Sequence, residues 1–217
     1  MSIEINVNDT ISDMGLWLKG MPRGVMAKAV RSSLKRTKPT LKRESFKRAK
    51  ELRNVSNKML KEKNRTEMTE RVSGDRVDRM FLSFRFSSKG IGLRNFQQAS
   101  KREKLSDQKG RYRGFGVNRN KLKKRRPVVV TVVKGRRTVY KHAWVGRGKN
   151  NNILVLQRNK HGKVISLSPV FLNLVMAKAR AHEPILKRAK PVFVRNLTSQ
   201  IKFRVSREGR KLARKKA

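Results

Sequence analysis

The stretch MFLSFRF at residues 80–86 decides the fold class, because the spacing of apolar residues changes here. Each even-numbered position holds Met, Leu or Phe, and the odd-numbered positions hold Phe81, Ser83 and Arg85. Alternation with a period of two predicts a strand whose two faces differ. A helical pattern precedes this strand and further strand patterns follow it, so the chain combines both kinds of element.

The stretch MPRGVMAKAVRSSLKRTKPTLKRE at residues 21–44 has apolar residues at spacings of three and four. Pro22 suits the first turn of a helix, so the pattern predicts a helix from here. Its opposite face is predicted to be basic and to comprise Lys28, Arg31, Lys35 and Arg36. Pro39 is expected to stop or kink the helix, before a second helix over residues 40–53 and a short third one led by Ser56.

Downstream of residue 86 the chain is predicted to be mostly β-structure. Gly90 and Gly92 mark a turn, and residues 97–126 form a long basic loop without periodicity, in which residues 115–117 are predicted as a short strand. Further strands are predicted at residues 128–133, 138–140, 142–145, 153–156 and 164–167. Helical patterns return after Pro169 and from Pro184. The apolar stripes of the first and last helices fit either the protein's own core or packing on a neighbouring subunit.

The sequence therefore predicts an α+β fold with N-terminal basic helices, a central antiparallel β-meander with a long basic loop, and C-terminal helices. We expect a single domain over residues 1–217. Its predicted parts are an arm at 1–20, helices over 21–75, a β-rich part over 76–168 with the basic loop at 97–126, and helices with a basic tail over 169–217. Within the arm, Ile3, Ile5 and Val7 alternate with polar residues, as in a short strand or an extended segment.

The charge of the chain is large and unevenly distributed. There are 58 Lys and Arg against 14 Asp and Glu, a net charge of +44. Residues 1–107 hold 26 basic and 12 acidic side chains, whereas residues 108–217 hold 32 basic and 2 acidic ones. Self-repulsion on this scale disfavours a compact state, so we expect a polyanion or a carboxylate-rich protein to supply counter-charge.

The candidate contact residues are cations of the long loop, the following hairpin tip and a later glycine turn. They are Lys109, Arg111, Arg113, Arg119, Lys121, Lys123, Lys124, Arg125, Arg126, Arg136, Arg137, Arg147 and Lys149. Cations on loops can meet phosphates without reading bases, which points to nucleic acid bound without sequence preference. Two alternatives use the same side chains, namely docking onto acidic protein surfaces and a solvated face with no partner.

The residue types that catalytic and metal sites require are scarce. The chain has no Cys, and His142, His161 and His182 stand about twenty residues apart. No nucleophile-elbow, Walker-type or dinucleotide-binding glycine pattern occurs, so we expect no enzyme activity, no cofactor and no metal. A nuclease would need a carboxylate cluster around Asp75 and Asp78. The longest aliphatic stretch, at residues 128–133, is too short to cross a bilayer, so no membrane partner is expected.

Several segments, taken in order, resemble the minor tail protein Z family of tailed phages, also called tail completion proteins. Residues 21–44 resemble the family's alanine-rich first helix, and VSNKMLKEK at residues 55–63 resembles its basic lysine-x-x-leucine helix. The other similar segments are residues 82–92, 115–117, 142–145, 155–158 and 165–169. His142 replaces a glycine of the family pattern, and Trp144 replaces a phenylalanine. The resemblance spans about residues 15–205 and rests on the order of elements and the basicity.

The resemblance implies a structural role at the head-proximal end of a phage tail, where such proteins complete the tail and join it to the head. The implied partners are tail and neck proteins (tail terminator, tube and head–tail connector), further copies in a ring with a hexamer favoured, and double-stranded DNA. The implied location is the virion, with the host cytoplasm during assembly. The alternative is an RNA-binding scaffold of the ribosomal type, which shares long basic loops.

Overall fold

The structure of the chain, a computed structural model, describes residues 2–7, 22–62, 65–72, 77–97, 128–147 and 153–216. In chain order its helices and strands are β1 (Ser2–Asn6), α1 (Arg23–Leu52), α2 (Asn57–Lys61), β2 (Thr66–Arg71), β3 (Phe81–Phe86), β4 (Val128–Val133), β5 (Arg136–Tyr140), β6 (Ala143–Arg147), β7 (Ile153–Arg158), β8 (Val164–Ser166), α3 (Leu172–Lys178) and α4 (His182–Lys216). Short 3₁₀ helices occupy Val77–Arg79 and Leu93–Phe96. The predicted α+β class is confirmed, with helices near both ends and antiparallel strands between them.

Contacts divide the chain into two compact units, where the sequence predicts one domain. Unit 1 consists of Met1–Ala49, Leu60–Ser87 and Asn173–Ala217, and unit 2 of Lys50–Met59 and Ser88–Leu172. The described strands form three antiparallel sheets, with the orders β1-β3-β2, β4-β5 and β6-β7-β8. The first sheet belongs to unit 1 and the other two belong to unit 2.

The sheet of unit 1 is apolar on one face and polar on the other. β3 lies in the centre, and its Phe84 stands opposite Ile3 of β1 and Met68 of β2. Ile3 and Phe84 are buried. On the other face, the exposed Arg85 donates a hydrogen bond to Glu67. The helices of unit 1 cover the apolar face, since Phe46 of α1 makes an edge contact with the Phe84 ring.

β2 corrects the prediction that residues 21–75 are helical. Thr66–Arg71 reads TEMTER and forms an edge strand, in which half-buried and exposed residues alternate. Its composition is polar, and its strand conformation comes from pairing along all six residues with β3. The half-buried Glu70 accepts a hydrogen bond from Lys38 of α1 at 3.4 Å. A neighbouring strand therefore decides the conformation of a segment whose own pattern is weak.

The sequence predicts that Pro39 stops or kinks the first helix. A stop is wrong, because α1 runs through Pro39 from Arg23 to Leu52. Proline in a helix interior removes one hydrogen bond and crowds the preceding turn, at a cost of about 3 kcal/mol. Pro39 is exposed, while Leu34 and Leu41 on either side of it are fully buried. The burial of Leu34 and Leu41 offsets the cost of a proline inside the helix. Pro191 occupies the same kind of exposed position within α4.

α1 and α4 run antiparallel, as their polar contacts show. Asn196 Nδ2 donates to Thr37 Oγ1 at 3.1 Å, and Arg204 Nη2 donates to Ser32 Oγ at 2.9 Å. The buried residues of α4 recur every four positions, which forms a ridge suited to packing on a neighbouring helix. They are Ile185, Ala189, Phe193, Leu197 and Ile201.

An ion pair also joins these two helices. Arg188 Nη1 donates to Glu44 at 3.1 Å, and Arg43 Nε donates to the other carboxylate oxygen at 3.3 Å. Burial raises the pKa of Glu44, but the hydrogen bonds and charges of Arg188 and Arg43 outweigh burial, so its pKa lies below the ordinary 4.5. Glu44 is therefore ionised at neutral pH and supports the packing of α1 on α4.

Unit 2 is built around the predicted β-hairpins. The strands expected near residues 128–133, 138–140, 142–145, 153–156 and 164–167 are confirmed as β4 to β8. Ile91 and Val170 bridge through two backbone hydrogen bonds of 2.8 and 2.9 Å. Next to this bridge, a Cβ at Gly90 would lie 2.6 Å from the Pro169 ring, so only glycine fits. The helices predicted after Pro169 and around Pro184 are confirmed as α3 and α4.

Candidate nucleic-acid interface

The predicted contact residues are only partly within the described chain. Arg136 and Arg137 are described with their side chains, and Arg147 is described as a backbone position at the end of β6. The remaining ones lie outside the described residues: Lys109, Arg111, Arg113, Arg119, Lys121, Lys123, Lys124, Arg125, Arg126 and Lys149. So do residues 115–117 and nearly all of the predicted loop at 97–126. The described part of the candidate interface is therefore the β4–β5 hairpin.

The β4–β5 hairpin has a buried strand and an exposed strand. Val128 and Val130 of β4 are buried in unit 2, whereas β5 is exposed from Arg136 to Val139. The two strands are joined by a tight turn at Lys134-Gly135, in which Gly135 adopts a φ of +75° that favours glycine. Because successive strand residues point to opposite faces, Arg136 and Arg137 present cations on both sides of β5.

Asn54 anchors the hairpin on the far side of β4. Its backbone N–H donates to the Val132 carbonyl at 2.7 Å, and its Nδ2 donates to the Thr131 carbonyl at 3.0 Å. The pairing of β4 with β5 is irregular between Val130 and Val133. Asn54 thus binds the carbonyl groups of the irregular stretch, and it holds the strand just before the cationic turn.

The hairpin carries positive charge without counter-charge. Lys134, Arg136, Arg137 and Lys141 are all exposed. Among the described residues of unit 2, Glu51 is the one acidic side chain, and it lies on α1. The ion pairs of Glu44, Glu62, Glu67 and Glu70 all join residues of unit 1. Because carboxylates are scarce in the described part of unit 2, the exposed hairpin cations suit an external anion.

A second cationic hairpin, between β7 and β8, was missed as a site by the sequence reasoning. The Asn159 side chain accepts hydrogen bonds from the backbone N–H groups of His161 and Lys163 at 3.0 and 2.9 Å. Arg158 Nη1 donates to the Gly162 carbonyl at 2.8 Å. This turn therefore holds Arg158, Lys160 and Lys163 on an ordered, exposed loop. The available signal was three cations within six residues, between the strands predicted at residues 153–156 and 164–167.

The two cationic hairpins suit electrostatic binding of an anion rather than catalysis. Exposed cations on two hairpins can meet phosphate oxygens, whereas Tyr140, the aromatic residue of β5, is half-buried. Within the described ranges, no group of three or more His, Cys, Asp or Glu side chains could hold a metal ion. No described helix is long and apolar enough to span a bilayer.

Comparison of the chain with family models, with curated proteins and with solved structures finds no match.

Proposed function

We propose that this protein is a structural component of a tailed-phage virion, which completes the head-proximal end of the tail and joins it to the head or neck. In this role it contacts the genome without sequence preference through the β4–β5 hairpin and the basic segment before it. The observation that carries the DNA contact is the exposed hairpin cations in a unit almost without carboxylates. The virion assignment rests on the family resemblance.

The proposed arrangement of the protein is a ring of identical subunits around DNA. Each copy adds a net charge of +44, which opposes self-assembly unless a polyanion is enclosed. In a cyclic assembly, with six copies favoured, the same hairpin recurs around the axis. A duplex on that axis meets cations from every side, so the ring holds DNA without a fixed register. Tail terminator, tube and connector proteins are the proposed protein partners.

The proposed role requires no catalysis, cofactor or metal. Four glutamates of unit 1 are engaged in ion pairs, namely Glu44, Glu62, Glu67 and Glu70. The nuclease alternative depends on Asp75 and Asp78, of which Asp75 lies outside the described residues.

The test is charge reversal on the hairpin in the assembling phage. The variant carries Lys134→Glu, Arg136→Glu, Arg137→Glu and Lys141→Glu. The matched control exchanges Lys and Arg at the same four positions, which keeps the charge and changes the head groups. We expect both proteins to fold with unchanged circular dichroism, because the four side chains are exposed.

Infectivity and DNA retention then separate the two variants. We expect the reversed variant to give particles that lose DNA or fail to join heads to tails, and the control to give normal titres. Normal titres from the reversed variant would refute DNA contact through the hairpin. Co-sedimentation of the wild-type protein with ribosomes instead of particles would favour the RNA-binding scaffold.

A further inference from the structure

The outward face of α1 carries cations at a regular spacing that the candidate interface does not include. Lys28, Lys35 and Lys42 are seven residues apart, and Arg36 and Arg43 repeat the same interval. All five side chains are exposed. Seven residues make about two helical turns, so these cations lie along one side of the helix at steps of about 10 Å.

This cationic row is held rigidly. The opposite side of α1 is buried in unit 1 through Val30, Leu34 and Leu41, each with no exposed surface. The hydrogen bond from Asn196 to Thr37 ties the middle of the same helix to α4. Packing in unit 1 therefore sets the backbone positions of these cations, so binding a long polyanion costs little ordering of the backbone.

Exposed carboxylates are few on the described helices of unit 1. On α4 the exposed cations Lys187, Arg195 and Lys202 recur at intervals of eight and seven residues. Glu44, by contrast, is buried against Arg188. The exposed Glu67 lies on the polar face of the sheet, the face opposite to the one that Phe46 of α1 contacts. Glu183, in the first turn of α4, is an exposed carboxylate among the described helical residues of unit 1, so these helices carry a large excess of cations.

The composition of the row favours phosphates over a protein partner. Protein interfaces have apolar centres enriched in aromatic side chains and depleted of Lys. The large apolar side chains that the described residues leave exposed are absent from α1 and include Val139, Leu174, Phe203 and Val205. A lysine-rich face without an apolar centre instead fits an anion of uniform charge density.

We propose that the outward face of α1 is a second DNA-binding surface, which contacts the phosphate backbone of a duplex along its length. Duplex DNA carries one charge per about 1.7 Å of axis, so each step of about 10 Å on α1 faces several phosphates in any register. The contact is therefore independent of sequence and position. This inference rests on the proposed function, since it takes duplex DNA as the partner, but it uses a different unit of the protein.

The test compares two fourfold variants that lose the same charge. The α1 variant carries Lys28→Gln, Lys35→Gln, Arg36→Gln and Lys47→Gln, the last an exposed cation one helical turn beyond Arg43. It spares Arg43, which donates a hydrogen bond to Glu44, and Lys42, whose Nζ lies 5.7 Å from the centre of the buried Phe46 ring. The control variant carries Lys61→Gln, Arg71→Gln, Arg79→Gln and Lys178→Gln, four exposed cations of unit 1 away from α1. Binding of the full chain to a labelled random-sequence duplex is measured by fluorescence anisotropy at several salt concentrations.

Each phosphate contact contributes about 0.9 to the slope of log affinity against log salt. We expect the slope of the α1 variant to fall by about 3 to 4, and that of the control to fall by less than about 1. Equal slopes for the two variants would overturn the α1 surface. Salt-dependent binding to a polyglutamate chain as tight as to DNA would also overturn it and favour an acidic protein as partner.

The same measurement on the hairpin variant separates this inference from the proposed function. A reduced slope for the hairpin variant together with an unchanged slope for the α1 variant rejects the α1 surface and leaves the hairpin contact in place. The reverse result rejects the hairpin contact and keeps the α1 surface. A wild-type protein that does not bind duplex DNA rejects both.

Discussion

Truncation of Phe193 should lower the free energy of unfolding of unit 1 strongly. Phe193 lies at the centre of the buried ridge of α4 and has no exposed surface, while Phe203 on the same helix is 53% exposed. Burying a Phe side chain contributes about 1.5–3 kcal/mol through transfer from water, and the cavity left by truncation raises the total cost to about 3–5 kcal/mol. Phe203→Ala should cost less than about 1 kcal/mol, because its ring is already half in solvent.

Urea unfolding followed by circular dichroism measures both costs, because α1 and α4 supply most of the helical signal. With a slope of about 2 kcal/mol per molar urea, a loss of about 4 kcal/mol lowers the midpoint by roughly 2 M. Small domains have about 5–15 kcal/mol of stability in total, so Phe193→Leu provides a milder variant if the alanine protein does not fold. Equal midpoints for Phe193→Ala and Phe203→Ala would refute the helix packing described above.

Two further predictions concern contacts in each unit. Gly90→Ala should destabilise unit 2 by about 1–3 kcal/mol, because the new Cβ would lie 2.6 Å from the Pro169 ring. The control Gly92→Ala should be nearly neutral, because its Cβ would meet nothing within 4 Å. Equal urea midpoints for the two variants would contradict this prediction. Glu44→Gln should cost about 1–3 kcal/mol at neutral pH, since it removes the charge that Arg188 binds. Because the pKa of Glu44 is lowered in the folded protein, this stability is present above pH 4.5 and is lost as the pH falls below it. The free energies of unfolding of wild type and Glu44→Gln should therefore converge in acid. A difference that stays constant with pH would contradict the ion pair.

The sequence predicted the elements whose own pattern is strong. β3 alternates bulky apolar residues, the β4–β5 turn has glycine at its positive φ, and β7 and β8 flank a polar turn. The sequence-based prediction failed where neighbouring elements decide the conformation of a segment. Six polar residues become β2 because β3 offers an edge, and α1 passes through Pro39 because buried residues lie on both sides.

The candidate site was predictable to a similar degree. The exposed positions of Arg136 and Arg137 follow from a turn that the sequence identifies. The cationic row on α1 was only partly visible, because the predicted break at Pro39 hid its continuation to Lys42 and Arg43. Arg31, which the pattern assigns to the basic face, is half-buried and engaged in contacts. The division of the chain into two units depends on contacts between distant segments, which no local pattern contains.

The most direct test of the virion role is mass spectrometry of particles purified from cells that encode this chain, fractionated into heads, tails and complete virions. We predict that the protein occurs in tails and complete virions at about six copies per particle, the number in the hexameric ring that the proposed function favours. Absence from virions, with the protein recovered on ribosomes or free nucleic acid, would contradict a structural role in the tail.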